Sequence, residues 1–171
     1  MMSASQSNSN LTIEEKRAAL RRALIARPND ERLLHARRRL TTLKQIQQAA
    51  HRGVFISYSR ADELFAVELA DQLRSSGVPV WFDMMDAEDG DWRGQILAAL
   101  DRCGLMIAVM SPASLEDREV CAERDRFLKM GKLVLPVIAT PCQFNPDTYW
   151  LQPIDFSGDF DRAMKTALHA L

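Results

Sequence analysis

The 171-residue chain lacks any apolar run near the ~20 residues that a membrane-spanning helix requires, so no span and no membrane partner are expected. Its three cysteines, Cys103, Cys121 and Cys142, have no metal-ligand spacing. Odd in number and scattered, they suit reduced thiols in a cytoplasmic protein. The histidines are also three, His35, His51 and His169, and they form neither a triad nor a metal set. With seven glycines and no Gly-rich cradle, a Rossmann-type cofactor site is not expected. The opening MMSASQSNSN has no charged n-region and no apolar h-region, so residues 1–10 read as a disordered tail rather than a signal peptide.

What is present is a core's worth of apolar residues, 47% of the chain, at a length that suits one domain with an appendage. The net charge of −1 conceals two segments of opposite sign: residues 1–52 hold 11 Lys/Arg and 4 Asp/Glu (+7), and residues 53–171 hold 11 and 19 (−8). Segments so charged can dock on each other. A basic arm carrying Arg21-Arg22 and Arg37-Arg38-Arg39 could also meet nucleic acid, but a solvated helical face explains the same residues, and nucleic acid is not the expected partner.

Thr12-Ile13-Glu14-Glu15 is a capping-box pattern that starts a helix, and Pro28-Asn29-Asp30 ends it. Asp30 can cap a second helix with Leu33, Leu34, Leu40, Leu43 and Ile46. Residues 11–52 thus read as a basic helical hairpin too small to bury a core alone, bounded at His51-Arg52-Gly53. Beyond it the pattern alternates. Strands are predicted at 54–58, 78–82, 105–110, 133–138 and 154–156, with helices at 62–74, 92–102, from Leu115 onward, and at 159–171. The expected fold is α/β: a flavodoxin-like, doubly wound parallel sheet of five strands, preceded by the helical hairpin.

Three segments of residues 53–171 carry a family resemblance. Val54-Phe55-Ile56-Ser57-Tyr58-Ser59-Arg60-Ala61-Asp62 is similar to the opening strand and turn of a Toll/interleukin-1 receptor (TIR) domain. Val80-Trp81-Phe82-Asp83 and the loop MMDAEDGDW resemble the strand and assembly loop that follow, with Gly90-Asp91 matching a Gly-Asp pair. The third segment is Ser111-Pro112 running to Glu123. TIR domains are either scaffolds that bind one another or enzymes that cleave NAD⁺ at the nicotinamide–ribose bond, and the catalytic kind keeps a glutamate four residues after a tryptophan. Counted from Ser111 without a gap, the tryptophan position falls on Glu119 and the glutamate on Glu123. A rival register sets Val120-Cys121 on the tryptophan position and the residue after it, and puts Arg124 at the glutamate, which would leave a dead site.

The resemblance implies an NAD⁺ glycohydrolase or cyclase of the bacterial type, serving defence or stress signalling. NAD⁺ would be its substrate, with no cofactor and no metal. Glu123 would be the catalytic carboxylate, stabilising an oxocarbenium-like centre as in glycoside hydrolysis. Ser59, Arg60, Trp81, Ser111 and Glu119 would bind substrate, while Asp83, Gly90 and Asp91 would belong to the assembly loop. The expected partners are further copies, joined through their TIR domains, and an upstream sensor or activator received by residues 11–52. Plainer readings stand beside these: Glu123 as a surface partner of Arg126, Trp81 as a core aromatic, Ser111 as a turn cap. The alternative function is a non-catalytic TIR–TIR interaction module, an adaptor or virulence factor. A receiver-like phosphoacceptor is a third option, which the placement of Asp62 and Asp83 does not suit.

Overall fold

Local chemistry starts each helix of the N-terminal hairpin. In a computed structural model that describes residues 11–82, 92–149 and 151–171, α1 spans Ile13–Ala26 behind the anticipated capping box. The Thr12 hydroxyl accepts from the Glu15 amide at 3.3 Å, and the Glu15 carboxylate accepts from the Thr12 amide at 2.7 Å. Helix α2, Glu31–Ala50, opens where Asp30 accepts from the amides of Arg32 and Leu33. Glu14 bridges the pair through Lys44 at 2.6 Å. No residue from Leu11 to Gln45 is buried.

The chain divides into two compact units, Met1–Gln45 and Ile46–Leu171, and the last turn of α2 belongs to the second: Ile46, Ala49 and Ala50 are buried in its core. Strand β1 is Val54–Ser57, β2 Val80–Trp81, β3 Leu105–Met110, β4 Leu133–Ile138 and β5 Ile154–Asp155. Every pairing is parallel, in the order β2-β1-β3-β4-β5, which is the doubly wound arrangement expected. β1, β2 and β5 are shorter than the sequence suggests, while β3 and β4 match residue for residue. All six residues of β3 are buried, as the central strand of a sheet covered on both faces must be.

Alternation along the strands assigns the faces. Val54, Ile56, Leu105, Ile107 and Val109 pack with α3 (Glu63–Ser75), the last turn of α2 and the C-terminal helix, Phe160–Ala170. Phe55, Met106, Ala108 and Met110 pack the other way, against α4 (Trp92–Arg102) and Phe127. Lys132 plugs the end of α4: its ammonium donates to the carbonyls of Leu100, Asp101 and Cys103 at 2.7–2.9 Å, satisfying groups a helix C-terminus leaves open.

The segment after β3 departs from expectation. In place of one helix from Leu115 there are two, α5 (Pro112–Glu116) and α6 (Arg118–Lys129). The break is at Asp117, whose extended backbone ends α5 and whose carboxylate caps α6 through the amides of Glu119 and Val120. Asp117 reads equally well as a first-turn acid or as an N-cap, and here the cap prevails. The helix from Phe160 to Ala170 is α7, capped by Asp159.

Candidate active site

In a parallel sheet all strands end at one edge, and ligands gather where the chain reverses its order, here between β1 and β3. Ser57 closes β1, and Ser111 follows β3. Ser57 lies two residues after Phe55 and so shares its face, the one covered by α4 and α6. Its hydroxyl donates to Glu123 Oε2 at 2.8 Å. Ser57 is 1% exposed and Glu123 is half-buried, so the carboxylate is drawn from the helix surface onto the sheet edge. No signal for chemistry marks Ser57 in the sequence. Strand periodicity alone places it on the Glu123 face.

Glu123 also lines a groove of about 740 Å³ between α4 and α6. Ile96, Leu97 and Leu100 form one wall, and Glu119, Glu123 and Met130 lie on the other. This volume falls within the roughly 300–1,000 Å³ range of small-molecule sites, and five of the ten lining residues are charged: Glu119, Glu123, Asp125, Arg126 and Lys129. Arg126, which also lines the groove, forms a 3.0 Å ion pair with Asp101.

Arg124, the residue of the rival register, occupies a different place. It is 5% exposed beneath α6, where its guanidinium donates to Ser114 O at 3.2 Å, to Cys121 Sγ at 2.9 Å and to Met110 Sδ at 3.5 Å. Among the described residues it has no carboxylate partner. It is buried in α6 beside Val120 and Phe127, and its guanidinium is satisfied by a carbonyl and two sulfurs. Nearby, burial raises the Tyr149 phenol above its ordinary value, and burial with the Asp62 charge raises the Cys142 thiol.

The other anticipated residues scatter. Trp81 is half-buried at the end of β2 and stacks on Phe55, centroids 4.9 Å apart and planes 10° apart. Glu119 is exposed on the groove rim, one turn before Glu123. Ser59 is buried at the entrance to a 3₁₀ turn, and Arg60, the first residue of that turn, is exposed. Ser111 is 1% exposed. Its hydroxyl caps α5 at the Ser114 amide and donates to Asp62 at 2.5 Å, tying the turn after β3 to the turn after β1. Asp83, Gly90 and Asp91 lie outside the described residues. Among the described residues no three His, Cys, Asp or Glu side chains converge as a metal set, and no helix is long and apolar enough to cross a membrane.

A family profile described as the TIR domain matches residues 54–169. Among solved structures, the TIR domain of a Toll-related receptor from Hydra magnipapillata is 21% identical with a TM-score of 0.55, over 67% of this chain and 93% of that one. A metazoan TIR-STING receptor from C. gigas, solved with 2',3'-cGAMP, is 24% identical at a TM-score of 0.53, over 68% of this chain and 38% of that one. A CMP N-glycosidase from Clostridium botulinum is 18% identical at 0.51, over 68% and 98%. At these identities the structural matches establish a shared fold. No curated protein matches the sequence.

Proposed function

Because the chain belongs to the TIR domain family over residues 54–169, we propose that it hydrolyses or cyclises NAD⁺ by breaking the nicotinamide–ribose bond, with Glu123 as the catalytic carboxylate. The observation that carries this reading is the Glu123–Ser57 hydrogen bond, which holds a half-buried carboxylate at the C-terminal edge of β1 beside an apolar-walled groove.

The chemistry asks little else of the protein. The C1′–N bond breaks with its electron pair going to nicotinamide, which leaves neutral and needs no general acid. Positive charge develops on C1′ and the ring oxygen, and a carboxylate in a partly dehydrated cleft opposes it. Water then adds to C1′ and gives up one proton, or adenine adds in its place. The fold shared with an N-glycosidase supports a scaffold suited to this bond type. We further propose that turnover depends on self-association of TIR domains through the Asp83–Asp91 loop, that residues 11–52 receive an activating signal, and that the output serves bacterial defence.

The test is nicotinamide release from NAD⁺ by the concentrated full-length protein, beside Glu123→Gln. Loss of release by about 10²-fold or more in a variant that still folds is the expected result. Unchanged turnover in the variant overturns the assignment.

One observation favours a second reading. Glu119 is exposed where the resemblance expects tryptophan, and a carboxylate cannot supply the packing of an indole. On that reading the domain is a non-catalytic TIR–TIR interaction module. It is selected if a pull-down of a second TIR domain needs the intact Asp83–Asp91 loop while the protein leaves NAD⁺ intact.

A further inference from the structure

Two large apolar side chains are far more exposed than the rest among the described residues: Ile25 at 83% and Leu64 at 87%. They lie in different compact units. Ile25 borders a groove of about 530 Å³ in the hairpin, whose floor is Leu20 and Leu24 and whose rim carries Arg21 and Arg37. Leu64 begins the solvent face of α3, with Glu68 and Asp71 following at i+4 and i+7 as one exposed stripe. Among the described residues none of Arg21, Arg37, Glu68 and Asp71 has an ion-pair partner. One surface is thus apolar with unpaired cations, and the other is apolar with unpaired anions.

We propose that the hairpin groove of one copy receives the Leu64–Glu68–Asp71 stripe of α3 from a second copy. Leu64 enters beside Leu24 and Ile25, and the two carboxylates meet Arg21 and Arg37. A second hairpin is excluded as the occupant by charge: residues 11–45 hold ten Lys/Arg against four Asp/Glu, so two hairpins repel, while residues 53–171 carry −8. Nucleic acid would satisfy the arginines but would leave the apolar floor and Leu64 uncovered. The contact joins two different patches, so it is heterologous and can continue from copy to copy until a ring closes or a filament grows. It would bring TIR domains together independently of the Asp83–Asp91 loop.

Sedimentation of the full-length protein tests this across concentration, at low salt and at about 0.5 M salt, where exposed charges are screened. Association at low salt that weakens about tenfold or more at high salt is expected. The same loss is expected in Arg21→Glu/Arg37→Glu and in Glu68→Arg/Asp71→Arg at low salt. The two variants mixed should associate with each other again, since one still offers an acidic stripe and the other a basic groove, and the chain carrying all four changes should recover self-association. Three outcomes overturn the proposal: a protein that stays at one copy at every concentration, association that neither charge variant weakens, and weakening that the fourfold charge swap does not reverse.

Discussion

The two compact units are built on opposite terms. Among its described residues through Gln45 the hairpin has none fully buried, and it is shaped by a capping box, an Asp30 cap and the Glu14–Lys44 bridge. From Ile46 onward the chain buries a whole central strand and both faces of a sheet. Local signals suffice to draw helices in the first unit, but caps and exposed pairs stabilise by about 1 kcal/mol or less each. Burial in the second stabilises by far more per side chain. The same helical pattern therefore stands for two different kinds of stability.

The largest effect that should separate them is in the second unit. Phe127 is fully buried against the sheet, and Phe127→Ala is expected to cost about 3–5 kcal/mol in global unfolding by denaturant. A loss under about 1 kcal/mol would show that this unit is as loosely held as the hairpin. Next comes the start of β3, where a Cβ on Gly104 would overlap the carbonyl oxygen of Ala49 in the last turn of α2. Gly104→Ala should cost about 1–3 kcal/mol and loosen that turn, seen as faster amide exchange at Ala49 and Ala50.

In the hairpin the effects shrink and become local. Thr12→Ala removes a capping box and should destabilise α1 by about 1 kcal/mol, fraying its first-turn amides without moving the global transition. Acidification should do the same more gently. The Lys44 hydrogen bond lowers the Glu14 carboxyl, and the Thr12 amide and hydroxyl lower that of Glu15, both from an ordinary 4.5. Their support for α1 is complete above that value and fades as pH falls through the lower folded values. Helicity of α1 followed by exchange from neutral pH to below 4 checks it. Loss beginning near neutrality would show that other groups hold the hairpin.

Much of this fold is legible in the sequence. Long periodic segments such as α4, β3 and β4 have the expected bounds, because apolar spacing and burial agree there. The short edge strands do not, since among the described residues β2 and β5 each pair with only one neighbour and taper where the sequence pattern continues. Asp117 is ambiguous between two local roles, and only the geometry of the turn after β3 selects the cap. At the candidate site, Glu123 is reached only through the resemblance, by its count from Ser111, and its catalytic role is a proposal; Ser57 is singled out by neither. A serine in a buried strand carries no sequence mark of the carboxylate that crosses from another helix to meet it. The roles of Ser59, Arg60 and Trp81 rest on the resemblance. Their positions near the ends of β1 and β2 are compatible with a crevice, but they do not line the groove.

Viewed from a substrate, the Ser57 hydroxyl is an alcohol already seated on the Glu123 carboxylate. A sugar hydroxyl that took its place would exchange one alcohol for another, and the gain would be only the difference between two similar hydrogen bonds. If the site cleaves as proposed, recognition would draw more on the rest of the groove, where Ile96, Leu97 and Leu100 supply apolar surface for a ring. On the proposed function, the carboxylate would then contribute little to holding the ground state and would act chiefly as charge develops, the interaction that raises rate rather than affinity.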